Sequence, residues 1–85
     1  MAIKLLFFAG LREALGSPGE NLALPSALAT VGELRAHLAA RGGKWAEHFA
    51  TARNLRAAVN QTMVAPGAAL KDGDEVAFFP PVTGG

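Results

Sequence analysis

Cysteine is absent from the 85-residue sequence. That excludes disulfides, thiolate metal sites, iron–sulfur ligation and a cysteine nucleophile together. Tyrosine is also absent, and there is a single tryptophan. Charge is sparse at 18% of residues and nearly balanced, with eight Lys+Arg against seven Asp+Glu for a net +1. The basic residues are scattered, which leaves nucleic-acid binding without support. No apolar run approaches the roughly 20 residues that span a bilayer. The apolar opening is short and Arg12 and Glu13 follow it closely, so it reads as a first strand, not a signal segment. These absences point to a soluble, cytoplasmic protein without a membrane partner.

What is present is apolar. Hydrophobic residues make up 51% of the chain, enough for one core in one domain without staples. Residues 3–8 read as a strand with Ile3, Leu5 and Phe7 on one face and Lys4, Leu6 and Phe8 on the other. Residues 11–15 read as one or two helical turns stopped by Gly16-Ser17-Pro18-Gly19, and residues 21–24 as an edge strand before Pro25.

Thr30 and Glu33 form the pattern of a capping box, and Val31, Leu34 and Leu38 follow at helical spacing. Arg41 is expected in the last turn of this main helix, with Gly42-Gly43 closing it. A second helical piece carries Trp45 and Phe49 on one face, Trp45 as a core residue. Residues 55–60 read as a strand, Gln61-Thr62 as a tight connection to Met63-Val64, and Pro66-Gly67 as a loop. Lys71-Asp72-Gly73-Asp74 supplies turn chemistry before a last strand at 75–79. The layout is α+β, a mixed four- to five-stranded sheet on one main helix with short extra helices. Returning the last strand beside the first gives a β-grasp, and leaves Leu6, Phe8, Ala58, Ala77 and Phe79 on the face away from the helix. So apolar a face is expected to meet a partner.

Candidate reactive groups are few. His37 and His48 stand apart as ordinary helix residues. Asp72, Asp74 and Glu75 lack the spacing of a calcium loop. The two serines, Ser17 and Ser26, each lie beside a proline, and no glycine loop opens a helix to cradle phosphate. No metal site and no permanently bound cofactor are expected.

The remaining candidate is Gly84-Gly85, reached through Phe79-Pro80-Pro81-Val82-Thr83. Paired glycines thread a channel too narrow for side chains. The two prolines hold the approach extended, and residues 80–85 reach about 20 Å at roughly 3.3 Å each. A domain over residues 1–79 followed by a tail over 80–85 is the expected organisation. A carboxylate at Gly85 becomes reactive only after activation, typically as an acyl-adenylate from ATP; sulfide or a persulfide then yields a thiocarboxylate.

At these residues the sequence resembles the small, sulfur-carrying subunits of molybdopterin synthase. The resemblance rests on residues 58–62, Ala58-Val59-Asn60-Gln61-Thr62, and above all on residues 72–85, with support from Phe7-Phe8-Ala9 and Leu11-Arg12-Glu13. It implies a ubiquitin-like β-grasp fold and a heterotetramer in which two small subunits insert their tails into a dimer of the large catalytic subunit. It further implies that a ubiquitin-activating-like enzyme adenylates Gly85 with ATP and that a sulfur donor protein supplies the sulfur. The thiocarboxylate then passes sulfur to a cyclic pyranopterin phosphate to make the molybdopterin dithiolene. Gly85 would be the reacting residue and Gly84 its threading neighbour, with Phe8, Phe79, Pro80, Pro81, Val82 and Thr83 meeting the partner. A carrier for another pathway such as thiamin thiazole, a ubiquitin-type protein modifier and a plain interaction module remain open readings of the same tail.

Overall fold

The computed structural model describes residues 2–25, 29–50 and 54–80. The elements run β1 (Ala2–Phe7), α1 (Ala9–Leu15), β2 (Gly19–Ala23), α2 (Val31–Ala39), α3 (Gly43–Phe49), β3 (Arg56–Val59), β4 (Thr62–Val64) and β5 (Glu75–Phe79). The five strands form one sheet in the order β2-β1-β5-β3-β4. β1 and β5 pair in parallel at its centre, with Leu6 opposite Ala77, while the other neighbours are antiparallel. This is the β-grasp expected from the sequence: a hairpin, a helical crossover and a final strand returned beside the first.

Alternation along the strands decides which face is covered. Ile3, Leu5 and Phe7 from β1 and Val76 and Phe78 from β5 are buried against Leu11, Leu34, Leu38 and Phe49 of the helices. Four rings lock this layer. Trp45 stacks on Phe49 at 5.7 Å and 17°, and Phe49 meets Phe7 and Phe78 edge-on at 5.9 and 5.3 Å. Such geometry puts the positive ring edge over the negative face, which adds to the area buried.

α2 starts as its sequence dictates. The Glu33 N–H donates to Thr30 Oγ1 at 3.2 Å, while the Glu33 carboxylate accepts from Thr30 Oγ1 at 3.1 Å and from the Ala29 N–H at 3.3 Å. The Val31 and Gly32 amides, otherwise orphaned in a first turn, donate to the carbonyls of Ala68 and Pro66 at 3.0 and 2.8 Å. In β2, Gly19 runs so close to β1 that a Cβ there would lie 2.1 Å from the Leu5 carbonyl oxygen. Only glycine fits that approach.

Three expectations are corrected. Arg41 is not in the last turn, because α2 ends at Ala39. Its guanidinium instead lies 4.4 Å from the Trp45 ring centroid and pairs with Glu20 at 2.6 Å, tying β2 to α3. The β3–β4 turn is Asn60-Gln61, both at positive φ (49° and 69°), with Thr62 already paired to Val59. Asn60 suits that conformation, and its amide anchors it: Nδ2 donates to Asp74 Oδ1 at 3.0 Å and Oδ1 accepts from the Glu75 N–H at 3.0 Å. β1 ends one residue early, at Phe7. Phe8 becomes the extended N-cap of α1 (φ −124°, ψ 159°) and keeps the outward direction that alternation assigned it.

Candidate functional site

The outer face of the sheet carries a row of side chains across four strands. Leu6 on β1 lies opposite Ala77 on β5, Ala77 opposite Ala58 on β3, and Ala58 opposite Met63 on β4. Two alanines in mid-row, with larger side chains around them, make a hollow of about 370 Å³. Its apolar rim is Leu6, Phe8, Met63 and Phe79, and Gln61 and Glu75 are its polar members. Among the described residues Phe8, 46% exposed, and Met63, 56% exposed, are the large hydrophobic residues open to solvent. Leaving both uncovered in water forgoes apolar burial that folding normally takes, and contiguous exposed apolar patches are found at interaction surfaces and ligand grooves.

All five residues assigned to this face from the sequence are there. Met63 is the one that reading missed. Placing the turn at Gln61-Thr62 puts Met63 opposite Asn60 at the end of the sheet, whereas the Asn60-Gln61 turn sets it against Ala58 in the hollow.

β5 runs parallel to β1, so both strands finish at the same end of the sheet. Phe8 and Phe79 therefore stand together there, and the Phe8 N–H donates to the Phe78 carbonyl at 3.3 Å. Pro80, half-buried, follows and lines a second depression of about 400 Å³ with Gly10, Leu11, His48, Asn54 and Leu55. Of the tail residues singled out in the sequence, Pro81, Val82, Thr83, Gly84 and Gly85 lie outside the described residues.

The polar groups near the opposite end serve the fold. Asp74, buried, accepts from the Lys71 N–H at 2.8 Å as well as from Asn60. Asp72 Oδ1 accepts from the Ala2 N–H at 2.7 Å. Asp72 thus ties the turn before β5 to the start of β1, and the Asp74 carboxylate ties it to the β3–β4 turn. Arg35 donates from Nε to the Phe49 carbonyl at 2.9 Å and from Nη2 to the Ala50 carbonyl, closing the C-terminal end of α3. Burial lowers its pKa from the ordinary guanidinium value. Among the described residues no His, Cys, Asp or Glu cluster could hold a metal ion, and no helix is long and apolar enough to cross a membrane.

A central parallel pair flanked by antiparallel strands, with the longest helix packed on one face, defines the ubiquitin-like class of β-grasp domains. The chain belongs to the ThiS family, whose pattern matches residues 5–85. It is similar to the molybdopterin synthase sulfur carrier subunit of Escherichia coli (strain K12), with 51% identity over 98% of this chain and 99% of that one. The subunit of the same name from Haemophilus influenzae is 45% identical over the same shares. Among solved structures, SAMP1 from Haloferax volcanii matches with a TM-score of 0.78 and 29% identity, covering 100% of both chains. The resemblance read from residues 58–62 and 72–85 is borne out by these relatives.

Proposed function

We propose that this chain is the sulfur carrier subunit of a molybdopterin synthase, residues 1–79 forming the carrier domain and 80–85 the reactive arm. The observation that carries this reading is the near full-length likeness to two sulfur carrier subunits. The hollow outer face, with Phe8 and Phe79 where β5 ends, supports it by offering a docking surface beside the root of the arm.

The chemistry takes place on Gly85. A carboxylate oxygen attacks the α-phosphorus of ATP on a ubiquitin-activating-like enzyme, and pyrophosphate leaves. The outer sulfur of a persulfide on a donor protein then attacks the acyl carbon and AMP leaves; a thiol next attacks the donor's own sulfur in the acyl disulfide, so that the S–S bond breaks, the donor is left as a disulfide, and a thiocarboxylate is released. In the large catalytic subunit that sulfur attacks an oxygen-bearing carbon of the cyclic pyranopterin phosphate, the carbon–oxygen bond there breaks, and a second carrier repeats the step for the second dithiolene sulfur. Water then cleaves the acyl–sulfur bond, so that sulfur stays on the pterin and Gly85 regains its carboxylate. Gly84 supplies a backbone without side chain for the channel, and Pro80, Pro81, Val82 and Thr83 supply an arm whose ordering costs little entropy. The carrier needs no resident cofactor, since ATP belongs to the activating enzyme, and the cytoplasm holds all the partners named.

Deleting Gly85 tests the reading. Dithiolene formation in a mixture with large subunit, activating enzyme, ATP and sulfur donor is expected to vanish, while affinity for the large subunit stays within about threefold, the contacts of the outer face being intact. Product formed at the full rate after deletion contradicts the proposal. An activated Gly85 that ends in isopeptide bonds to lysines, with no sulfur gained, makes the chain a protein modifier instead.

A further inference from the structure

Met63 combines exposure with a place in the docking hollow. β4 is the last strand of the sheet, and the residue opposite Met63 is the small Ala58. Among the described residues no strand lies beyond β4, and 56% of Met63 is exposed. Its side chain nevertheless shares the hollow with Leu6, Phe8, Ala77 and Phe79. Oxidants thus reach the sulfur without any unfolding, at a spot where the surface must stay apolar to bind.

We propose that Met63 is a reversible oxidation site that disconnects the docking face. Hydrogen peroxide is the oxidant: a sulfur lone pair attacks one peroxide oxygen, the O–O bond breaks, and water leaves. The sulfur loses two electrons and the peroxide gains them. The product, methionine sulfoxide, is polar and chiral where the thioether was soft and apolar. Its S=O group requires a hydrogen-bond donor, which an apolar contact denies it. A methionine sulfoxide reductase with a dithiol reverses the step, returning the thioether and releasing water as the dithiol becomes a disulfide. Docking itself shields the sulfur, so free carrier is switched off while seated carrier is spared. The inference rests on the outer face being the docking surface for the large subunit, as proposed above.

The test treats the full chain with hydrogen peroxide, locates added oxygen by peptide mass mapping, and measures affinity for the large subunit before and after. The sequence has two methionines, Met1 and Met63, so mapping separates them. Oxygen is expected at Met63, with affinity down by about tenfold and restored by the reductase. A preformed complex is expected to take up oxygen at Met63 much more slowly. Met63→Leu, whatever its starting affinity, is expected to show none of the peroxide-dependent loss. Equal affinity of oxidised and untreated chain overturns the inference, as does an equal loss in Met63→Leu or an oxidised chain that has lost its fold by circular dichroism. Failure of the untreated chain to bind overturns the docking reading itself, and this inference with it.

Discussion

The two faces of the same strands put apolar residues to different uses. On β1, Ile3, Leu5 and Phe7 are buried under the helices, while Leu6 and the neighbouring Phe8 face outward. On β5, Val76 and Phe78 are buried, while Ala77 and Phe79 are only half-buried. Hydrophobicity alone does not separate the sets. What separates them is whether a helix of this chain lies above. The inner set holds the fold, and the outer set is the proposed docking surface, so substitutions on the two faces should fail in different assays.

Phe78→Ala gives the largest expected loss of stability. Phe78 is 1% exposed and meets the Phe49 ring, so truncation is expected to cost about 3–5 kcal/mol, read by urea denaturation; a loss below about 1 kcal/mol breaks the assignment of the inner face. Gly19→Ala comes next. The new Cβ collides with the Leu5 carbonyl, and prying β2 from β1 is expected to cost about 2 kcal/mol, with faster amide exchange confined to that hairpin. Arg35→Met strands the Phe49 and Ala50 carbonyls at the end of α3, an expected loss of about 1–2 kcal/mol in the same denaturation series. Phe79→Asp should move stability least, by under about 1 kcal/mol, yet weaken large-subunit binding by tenfold or more and adenylation by less. Unchanged binding with lost stability would reverse the roles of the two faces.

The layout was legible where local chemistry marks the start of an element. Thr30 and Glu33 announce α2, and the Asp72-Gly73 turn with the apolar run after it gives β5 to the residue. Alternation also put Leu6, Phe8, Ala58, Ala77 and Phe79 on one face. Four features depend on tertiary contacts. Arg41 sits where Trp45 and Glu20 draw it, beyond the end of the helix. The turn falls at Asn60-Gln61 because Asp74 and Glu75 hold the Asn60 amide, and nothing about glutamine announces a positive φ. Met63 joins the docking hollow only through the pairing that this turn sets. The close approach of Gly19 to Leu5 is likewise a matter of strand pairing, which periodicity does not encode. The arm over 80–85 is read from residue types alone, because glycine and proline act through the backbone they permit, and Pro81 to Gly85 lie outside the described residues.

The central claim is that the reactive group is the Gly85 carboxylate. Intact-mass spectrometry of the chain after incubation with an activating enzyme, ATP and a sulfur source tests it most directly. A mass gain equal to exchange of one oxygen for sulfur is expected, mapped to Gly85, dependent on ATP and absent when Gly85 is deleted. A chain that is adenylated but never gains sulfur, or that gains it at another residue, contradicts the account.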